Sequence, residues 1–249
     1  MKKNIQFLLS LAVLFLFSML AYSQQMQGKC GEGCACAPKE DNSPCACGTN
    51  SLCSMSHATN QVVFENVFLK MMDSMMVDMN AVPLDASVEG NFLRQMIPHH
   101  RGAVEMAKYE MDNGTNREMI QLAKNIFTEQ QGEITKMNAL LELYPFKQGE
   151  QPSPEYKKAM DDVMMKMMKD TPSEKDLEGK SIDCAFALVM LPHHQAAVGM
   201  AKVLLKLSPQ GQVATYAARI VSDQQKEIQQ MTEFVKKIVN NPIDGSGIR

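Results

Sequence analysis

The segment Met-Ile-Pro-His-His at residues 96–100 recurs as Met-Leu-Pro-His-His at residues 190–194. The offset of 94 residues continues without a gap as far as Met137 and Met231, with the same Gln-Gln and Glu-Ile pairs in both copies. This register predicts a tandem duplication whose boundary lies near residues 146–153. Two copies are too few for a solenoid, so we expect paired helical bundles packed on one another.

The sequence around these motifs predicts helices. From about residue 61 onward, apolar residues recur at steps of three and four, and no alternating Val, Ile and Thr runs indicate a sheet. This spacing predicts an all-α fold. Pro98 and Pro192 fall inside two of the predicted helices, where each should kink its helix or start a new one. Between breaks marked by proline and glycine, we expect helices over 61–80, 87–112, 116–143, 154–169, 174–206 and 210–239.

The first residues have the pattern of a targeting signal. Lys2 and Lys3 precede an almost continuously apolar stretch over 7–20, and a small-x-small cleavage site ends at Ser23. The stretch is shorter than a bilayer span, so we expect cleavage, a periplasmic or secreted location and no membrane anchor. The predicted organisation is a signal peptide (1–23), a cysteine-rich and largely irregular arm (24–60), a first helical repeat (61–147), a second helical repeat (148–239) and a disordered tail (240–249).

The composition narrows the class of function. Of 249 residues, 45% are hydrophobic and 21% are charged, which is typical of a globular protein. The net charge of -3, without a basic stripe, argues against binding to nucleic acid. Methionine occurs 22 times and tryptophan is absent, so any proposed function has to account for the methionines.

Most of the cysteines lie in a short segment with almost no large apolar side chains. In an exported protein such a set indicates a disulfide framework. The alternative is capture of a soft metal ion by thiolates, because the segment holds two Cys-x-Cys pairs in a flexible chain. The seventh cysteine, Cys184, is predicted to be a small buried residue, with a thiolate ligand as the alternative. The six arm cysteines are Cys30, Cys34, Cys36, Cys45, Cys47 and Cys53.

Histidine and methionine at helical spacing form the candidate metal sites. Residues three and four apart share a helix face, so Met96 should lie beside His99 or His100. Imidazole and thioether are ligands that suit copper, and thioether favours the reduced ion. We therefore expect one site in each repeat. The candidates are Met96, His99, His100, Met106 and Met137 in the first repeat and Met190, His193, His194, Met200 and Met231 in the second.

A second set of candidates consists of methionines upstream of each motif. An offset of 89 aligns the cluster at 71–79 with the cluster at 160–168. These clusters cover more than one helical face, whereas simple core filling predicts one stripe, so some thioethers should be exposed. Exposed methionine suits scavenging of a soft metal or a contact surface for a partner. The additional candidates are Met71, Met75, Met76, Met79, Met164, Met165 and Met168.

Two motifs resemble those of a known family. Met-Ile-Pro-His-His-x-x-Ala-Val-x-Met-Ala at 96–107, Gln-Gln-x-Glu-Ile-x-x-Met at 130–137 and their second copies are similar to the domain-of-unknown-function family that includes the periplasmic copper-binding protein CopM. The resemblance covers roughly residues 65–239. It implies a ferritin-like helical bundle that is exported to the periplasm and tied to copper binding or copper resistance. By position, it also implies that the His and Met residues of both motifs are the metal ligands.

The sequence is compatible with three functions. The favoured one is a non-catalytic protein that sequesters or transfers copper, mainly Cu(I), and contributes to copper resistance or homeostasis, with a copper exporter or chaperone as its partner. The second is a ferritin-like redox enzyme, which would use Glu-x-x-His steps. No glutamate lies three residues before any histidine, which argues against it. The third is a methionine-rich interaction domain without metal.

Overall fold

The computed structural model describes residues 66–240, which form seven helices and no strand. The all-α prediction is therefore confirmed. The predicted signal peptide, the arm with its six cysteines and all but the first residue of the predicted tail lie outside the described residues. The helices are α1 (Val67–Ala81), α2 (Val88–Asn113), α3 (Arg117–Leu141), α4 (Pro154–Asp170), α5 (Glu174–Leu177), α6 (Ile182–Leu207) and α7 (Gln212–Asn240).

Polar side chains define where the long helices begin. The Ser87 hydroxyl accepts a hydrogen bond from the backbone N–H of Gly90 at 3.0 Å and starts α2. The side chain of Asn116 accepts from two N–H groups in the first turn of α3. Such caps satisfy backbone donors that have no partner within the helix, and each stabilises its helix by about 1 kcal/mol. They explain why the predicted starts agree with the observed ones to within a few residues.

The prediction of a single helix over 174–206 is wrong. The structure has the short α5, a break over 178–181 and then α6. Gly179 lies in the break with φ of 71°, a conformation that ends a helix and that glycine adopts at little cost. Ser181 then caps α6. In contrast, neither Pro98 nor Pro192 starts a new helix. Each proline lies inside a continuous helix, and the residue that follows it is buried.

Two helical hairpins meet along α2 and α6. Helix α2 packs against α3, α6 packs against α7, and α2 and α6 contact each other between the two hairpins. Helix α1 covers α2, and α4 covers α6. The Phe68 ring joins α1 to both central helices, since its centroid lies 5.4 Å from that of Tyr109 and 5.8 Å from that of Phe186. The described residues 66–240 belong to a single compact unit, so the two hairpins share one core.

The covering helices α1 and α4 bury equivalent positions at an offset of 88. Phe68, Met72 and Met79 are buried on α1, and the residues 88 positions later are buried on α4. These partners are Tyr156, Met160 and Met167. The offset of 89 that aligns the most methionines is therefore not the offset of the buried faces. A position is buried when it lies on the helix face that packs against a neighbouring helix, and the type of residue at equivalent positions can differ.

Helix α6 is the only described helix long and apolar enough to cross a membrane by length and composition. However, 78% of the apolar window is buried inside the protein. The core helix of a folded protein has the same properties, and its apolar residues pack against α2, α4 and α7.

A carboxyl pair links the two hairpins near one end. Asp183, in the first turn of α6, accepts hydrogen bonds from the backbone N–H groups of Thr115 and Asn116 at 2.9 and 2.7 Å. The neighbouring Glu110 is fully buried, and as a carboxylate neither of its oxygens has a hydrogen-bond partner. Burial, together with the adjacent Asp183, raises the pKa of Glu110 to about 8. At neutral pH this side chain is therefore protonated and donates to Asp183.

This pair predicts a loss of stability with rising pH. Folding raises the pKa of Glu110 above its ordinary value of 4.5, so its contribution to stability is complete below pH 4.5 and is lost as the pH rises to about 8. We expect the free energy of unfolding to fall by up to about 5 kcal/mol over that range. Glu110→Gln keeps a donor to Asp183 without ionising and should remove this slope, which urea denaturation between pH 5 and 9 measures. The same slope in Glu110→Gln as in the parent would contradict the assignment, and Glu105→Gln, at an exposed position of the same helix, is the control.

Candidate metal centre

Four of the five histidines meet at the contact between α2 and α6. His99 and His100 lie on α2, His193 and His194 lie on α6, and all four side chains are completely buried. The ring centroids of His99 and His193 are 3.8 Å apart. The two rings within each pair are 6.2 Å apart on α2 and 5.8 Å apart on α6. The two sequence motifs therefore form a single histidine cluster, whereas the sequence indicated one separate site in each repeat.

Three of the four imidazoles use Nε2 in a hydrogen bond. Nε2 of His100 lies 2.9 Å from Oε2 of Glu133, and Nε2 of His194 lies 2.9 Å from Oε2 of Glu227. Nε2 of His193 lies 3.0 Å from the backbone oxygen of His99. In each hairpin, the central helix thus presents one imidazole to a carboxylate on the other helix.

The other ring nitrogens of the cluster have no partner. Nδ1 of every one of the four histidines is buried without a hydrogen bond, and so is Nε2 of His99. The side-chain amides of Gln130 and Gln224 are also buried and unpartnered. Buried polar atoms are rarely left unpaired, because the loss of their hydration costs about 1–3 kcal/mol each. This concentration of unpartnered donors and acceptors makes the cluster the candidate binding site among the described residues.

The six methionines predicted with these histidines are all completely buried in the shared core. Two lie on each central helix, and one lies on each of α3 and α7. Thioethers in such positions fill the core and at the same time offer soft, uncharged sulfur atoms. They are Met96, Met106, Met137, Met190, Met200 and Met231.

The upstream methionines divide between core and surface on α1 and α4. Met75 and Met79 are buried, and the Met75 side chain packs so closely on Gly102 that a Cβ there would lie 2.9 Å from its Cγ. Met165 and Met168 are 60% and 62% exposed. The remaining three candidates are partly buried, namely Met71, Met76 and Met164. The structure thus places this set on the covering helices, while the histidine cluster lies between the central ones.

The charge state of the cluster suits a metal ligand. Burial, with the neighbouring imidazoles as a smaller cause, lowers the pKa of His99 and of His193 well below the usual value of 6.5. Both rings are therefore neutral at pH 7 and keep a lone pair. The Cys184 thiol on α6 is also buried, and burial raises its pKa, so it is a protonated thiol at neutral pH. This agrees with the prediction of a small buried residue.

Carboxylates and cysteines do not complete a site among the described residues. Within residues 66–240, no group of three or more His, Cys, Asp or Glu side chains could hold a metal ion. A metal bound at the cluster would have to use thioether sulfur besides imidazole nitrogen. The donor chemistry is then that of a soft ion, since hard ions require oxygen ligands.

A polar cleft lies beside the cluster, between α3 and α7. It has a volume of about 370 Å³, and Glu133 and Glu227 line it. Burial and the nearby carboxylates of Glu227, Asp223 and Glu133 raise the pKa of Glu129, which lines the same cleft. The sequence analysis did not include Glu133 or Glu227 among the candidate site residues. The recurrence of this glutamate at an offset of 94, next to the repeated Gln-Gln pair, is the signal that marks it.

The fold and the cluster define an all-α protein with a buried histidine and methionine core. The chain belongs to the family described as Domain of unknown function (DUF305), whose model matches residues 48–141 and 89–235. The resemblance noted from the motifs is thereby confirmed.

Several solved structures are similar to this chain. A DUF305 fragment from Deinococcus radiodurans is 26% identical, with a TM-score of 0.44, and the match covers 62% of this chain and 99% of that one. CopM in the Cu(I)-bound form is 26% identical, with a TM-score of 0.45, over 60% of this chain and 96% of that one. CopM in the Cu(II)-bound form is 24% identical, with the same TM-score and coverage. No curated protein matches the chain.

Proposed function

We propose that this is an exported copper-binding protein that sequesters or transfers copper, with Cu(I) favoured, and so contributes to copper resistance or homeostasis. The observation that carries the proposal is the set of four completely buried imidazoles whose Nδ1 atoms have no hydrogen-bond partner. The six completely buried methionines of the same core support the proposal, since their thioethers are the further donors that such a site would use.

The donor types support the reduced ion. Imidazole and thioether are both uncharged ligands that suit copper, and the soft thioether discriminates against hard cations such as Mg²⁺ and Ca²⁺. A monovalent ion is also the cheaper charge to bury, because the cost of moving an ion into a low dielectric grows with its charge. Glu133 and Glu227, at the edge of the cluster, supply negative charge that offsets part of this cost.

The export and the partner are proposed from the sequence. The basic residues, apolar stretch and cleavage site within residues 1–23 predict a periplasmic or secreted protein. A non-catalytic protein that holds copper outside the cytoplasm needs a protein that delivers the ion or receives it. We propose that this partner is a copper exporter or chaperone. The arm cysteines are proposed as an additional soft-metal site, with a disulfide framework as the alternative.

A second candidate function is a methionine-rich interaction surface that works without metal. The specific support is the exposure of Met165 and Met168 on α4, together with Val77 on α1, which is 67% exposed. Flexible thioethers on a surface suit adaptable contacts with a partner. This function leaves the buried imidazole nitrogens unexplained, so we rank it second.

The test is a Cu(I) competition titration of the chain from residue 24 onward against a chromophoric chelator, without oxygen and with a reductant. A variant with serine at all six arm cysteines separates the arm from the helical core. Tight binding that persists in this variant is expected and would support the histidine and methionine cluster. Absence of binding in both proteins would overturn the copper proposal in favour of the interaction surface.

A further inference from the structure

The two carboxylate–imidazole hydrogen bonds of the cluster have the same geometry. His100 with Glu133 and His194 with Glu227 each pair Nε2 with Oε2 at 2.9 Å. Both imidazoles are completely buried, and the glutamate side chains are only 15% and 10% exposed. The partners are separated by 33 residues in each pair, so the same contact is built twice.

These contacts determine where the imidazole proton lies. An ionised carboxylate can only accept a hydrogen bond, so Nε2 of each imidazole must carry the proton. In a neutral ring the lone pair then lies on Nδ1. A doubly protonated ring would bury an Nδ1–H without an acceptor, because Nδ1 of both rings has no partner, and that costs free energy.

We propose that Glu133 and Glu227 are positioning residues that hold His100 and His194 in the Nε2–H tautomer, so that the unprotonated Nδ1 is the metal-binding atom of each. The metal-binding part of this inference rests on the proposed function, whereas the tautomer assignment does not. The pattern is that of metal sites in which a ligating histidine donates its second N–H to a carboxylate.

The other two histidines show that this arrangement is specific. His193 also uses Nε2, but its partner is the backbone oxygen of His99, which carries no net charge. His99 has no partner at either ring nitrogen. Within the cluster, only His100 and His194 therefore combine a defined tautomer with a carboxylate partner, whose charge would offset that of a bound cation.

The two helices that carry the glutamates are joined by a hydrogen bond beside the cleft. The hydroxyl of Tyr216 on α7 donates to the backbone oxygen of Glu133 on α3 at 3.1 Å, which ties the two helices across the cleft. Oε1 of Glu227 is buried and has no partner, so its only hydrogen bond is the one to His194. Both carboxylates are thus placed to orient the imidazoles, and their exposed edges line the cleft.

The first measurement uses the metal-free protein. Long-range ¹H–¹⁵N correlation spectra at pH 7.5 report which nitrogen of each ring carries the proton, and His→Gln variants assign the signals. We expect His100 and His194 to be in the Nε2–H form. In Glu133→Gln, His100 should lose this strict preference, because an amide can either donate or accept, while His194 keeps it. Protons on Nδ1 of His100 and His194 in the parent would overturn the inference, whatever the protein does with copper.

The second measurement is Cu(I) affinity by chelator competition. The double variant Glu133→Gln with Glu227→Gln should bind Cu(I) about 10- to 100-fold more weakly than the parent. Glu129→Gln is the matched control, since it removes a carboxylate from the same cleft without touching a histidine, and it should change the affinity by less than about 2-fold. If the double variant changes the tautomers of His100 and His194 but binds Cu(I) as tightly as the parent, the positioning role is overturned. The Nε2–H form in a parent protein that binds no Cu(I) would support the tautomer assignment and defeat the proposed function instead.

Discussion

Replacing His100 and His194 together by glutamine is expected to raise the Kd for Cu(I) by on the order of 100-fold or more, which is about 2.7 kcal/mol of binding free energy. The substitution removes two imidazole ligands whose Nδ1 atoms are unpartnered. Glutamine is close in size and can still donate to Glu133 and Glu227, so the core should remain packed. Competition against a chromophoric Cu(I) chelator, in the variant with serine at the arm cysteines, measures the effect.

His57→Gln is the control for this experiment, because His57 is the one histidine outside the two motifs. It should leave the affinity unchanged. An unaltered Kd in the double variant would show that these imidazoles are not ligands, and methionine would then have to bind the ion alone.

The geometry also distinguishes one cluster from two independent sites. The ring centroids of His99 and His193 are 3.8 Å apart, so a change on α2 reaches the histidines of α6. His99→Ala with His100→Ala is therefore expected to weaken all Cu(I) binding by the helical core. Loss of half the bound copper with unchanged affinity for the rest would instead match the two separate sites that the sequence motifs indicate.

The second large effect is a loss of stability in acid. Burial depresses the pKa of His99 and His193 in the folded protein below the value of about 6.5 in the unfolded chain. The unfolded state then binds more protons as the pH falls, so the stabilising contribution is complete above pH 6.5 and is lost below it. For two such groups the free energy of unfolding should fall by up to about 2.7 kcal/mol per pH unit below pH 6.

Urea denaturation of the metal-free protein between pH 7.5 and 4.5 measures this slope. The Glu110→Gln background is preferred, because the raised pKa of Glu110 gives a slope of opposite sign over part of the same range. His99→Gln with His193→Gln should flatten the curve. An equally steep loss in that variant would assign the acid sensitivity to other groups. Bound Cu(I) should protect the parent, since the ion and protons compete for the same nitrogens.

The helices and the residue types of the site could be predicted because they depend on local patterns. Apolar spacing and the breaks at proline and glycine are sufficient to place α2 and α3 to within a few residues. The break before α6 was missed, because Gly179 and Ser181 end and restart a helix through backbone geometry and capping, which apolar spacing does not report. Pro98 was expected to kink its helix or to start a new one, and the structure shows that no new helix starts there.

The role of Glu133 and Glu227 could not be assigned from spacing. Helical periodicity places Glu133 on a face with Gln130 and Met137, but it does not say that the face turns toward His100. That contact depends on how α3 packs against α2, which brings together side chains 33 residues apart. The equivalence of α1 and α4 is a similar case. Their buried positions are 88 residues apart because packing decides which face is buried, whereas aligning the methionines gave a different offset.

The sequence by itself determined that this protein is helical, that a His-His motif occurs twice in equivalent surroundings, and that its candidate donors are imidazole and thioether. These properties depend on residue type and on spacing along one helix, which the chain encodes directly. Only the tertiary structure decided that both motifs share one buried cluster and that carboxylates from α3 and α7 orient two of its rings. The physical reason is that burial and hydrogen bonding between helices depend on which faces meet, and many arrangements of the same helices satisfy the same local pattern.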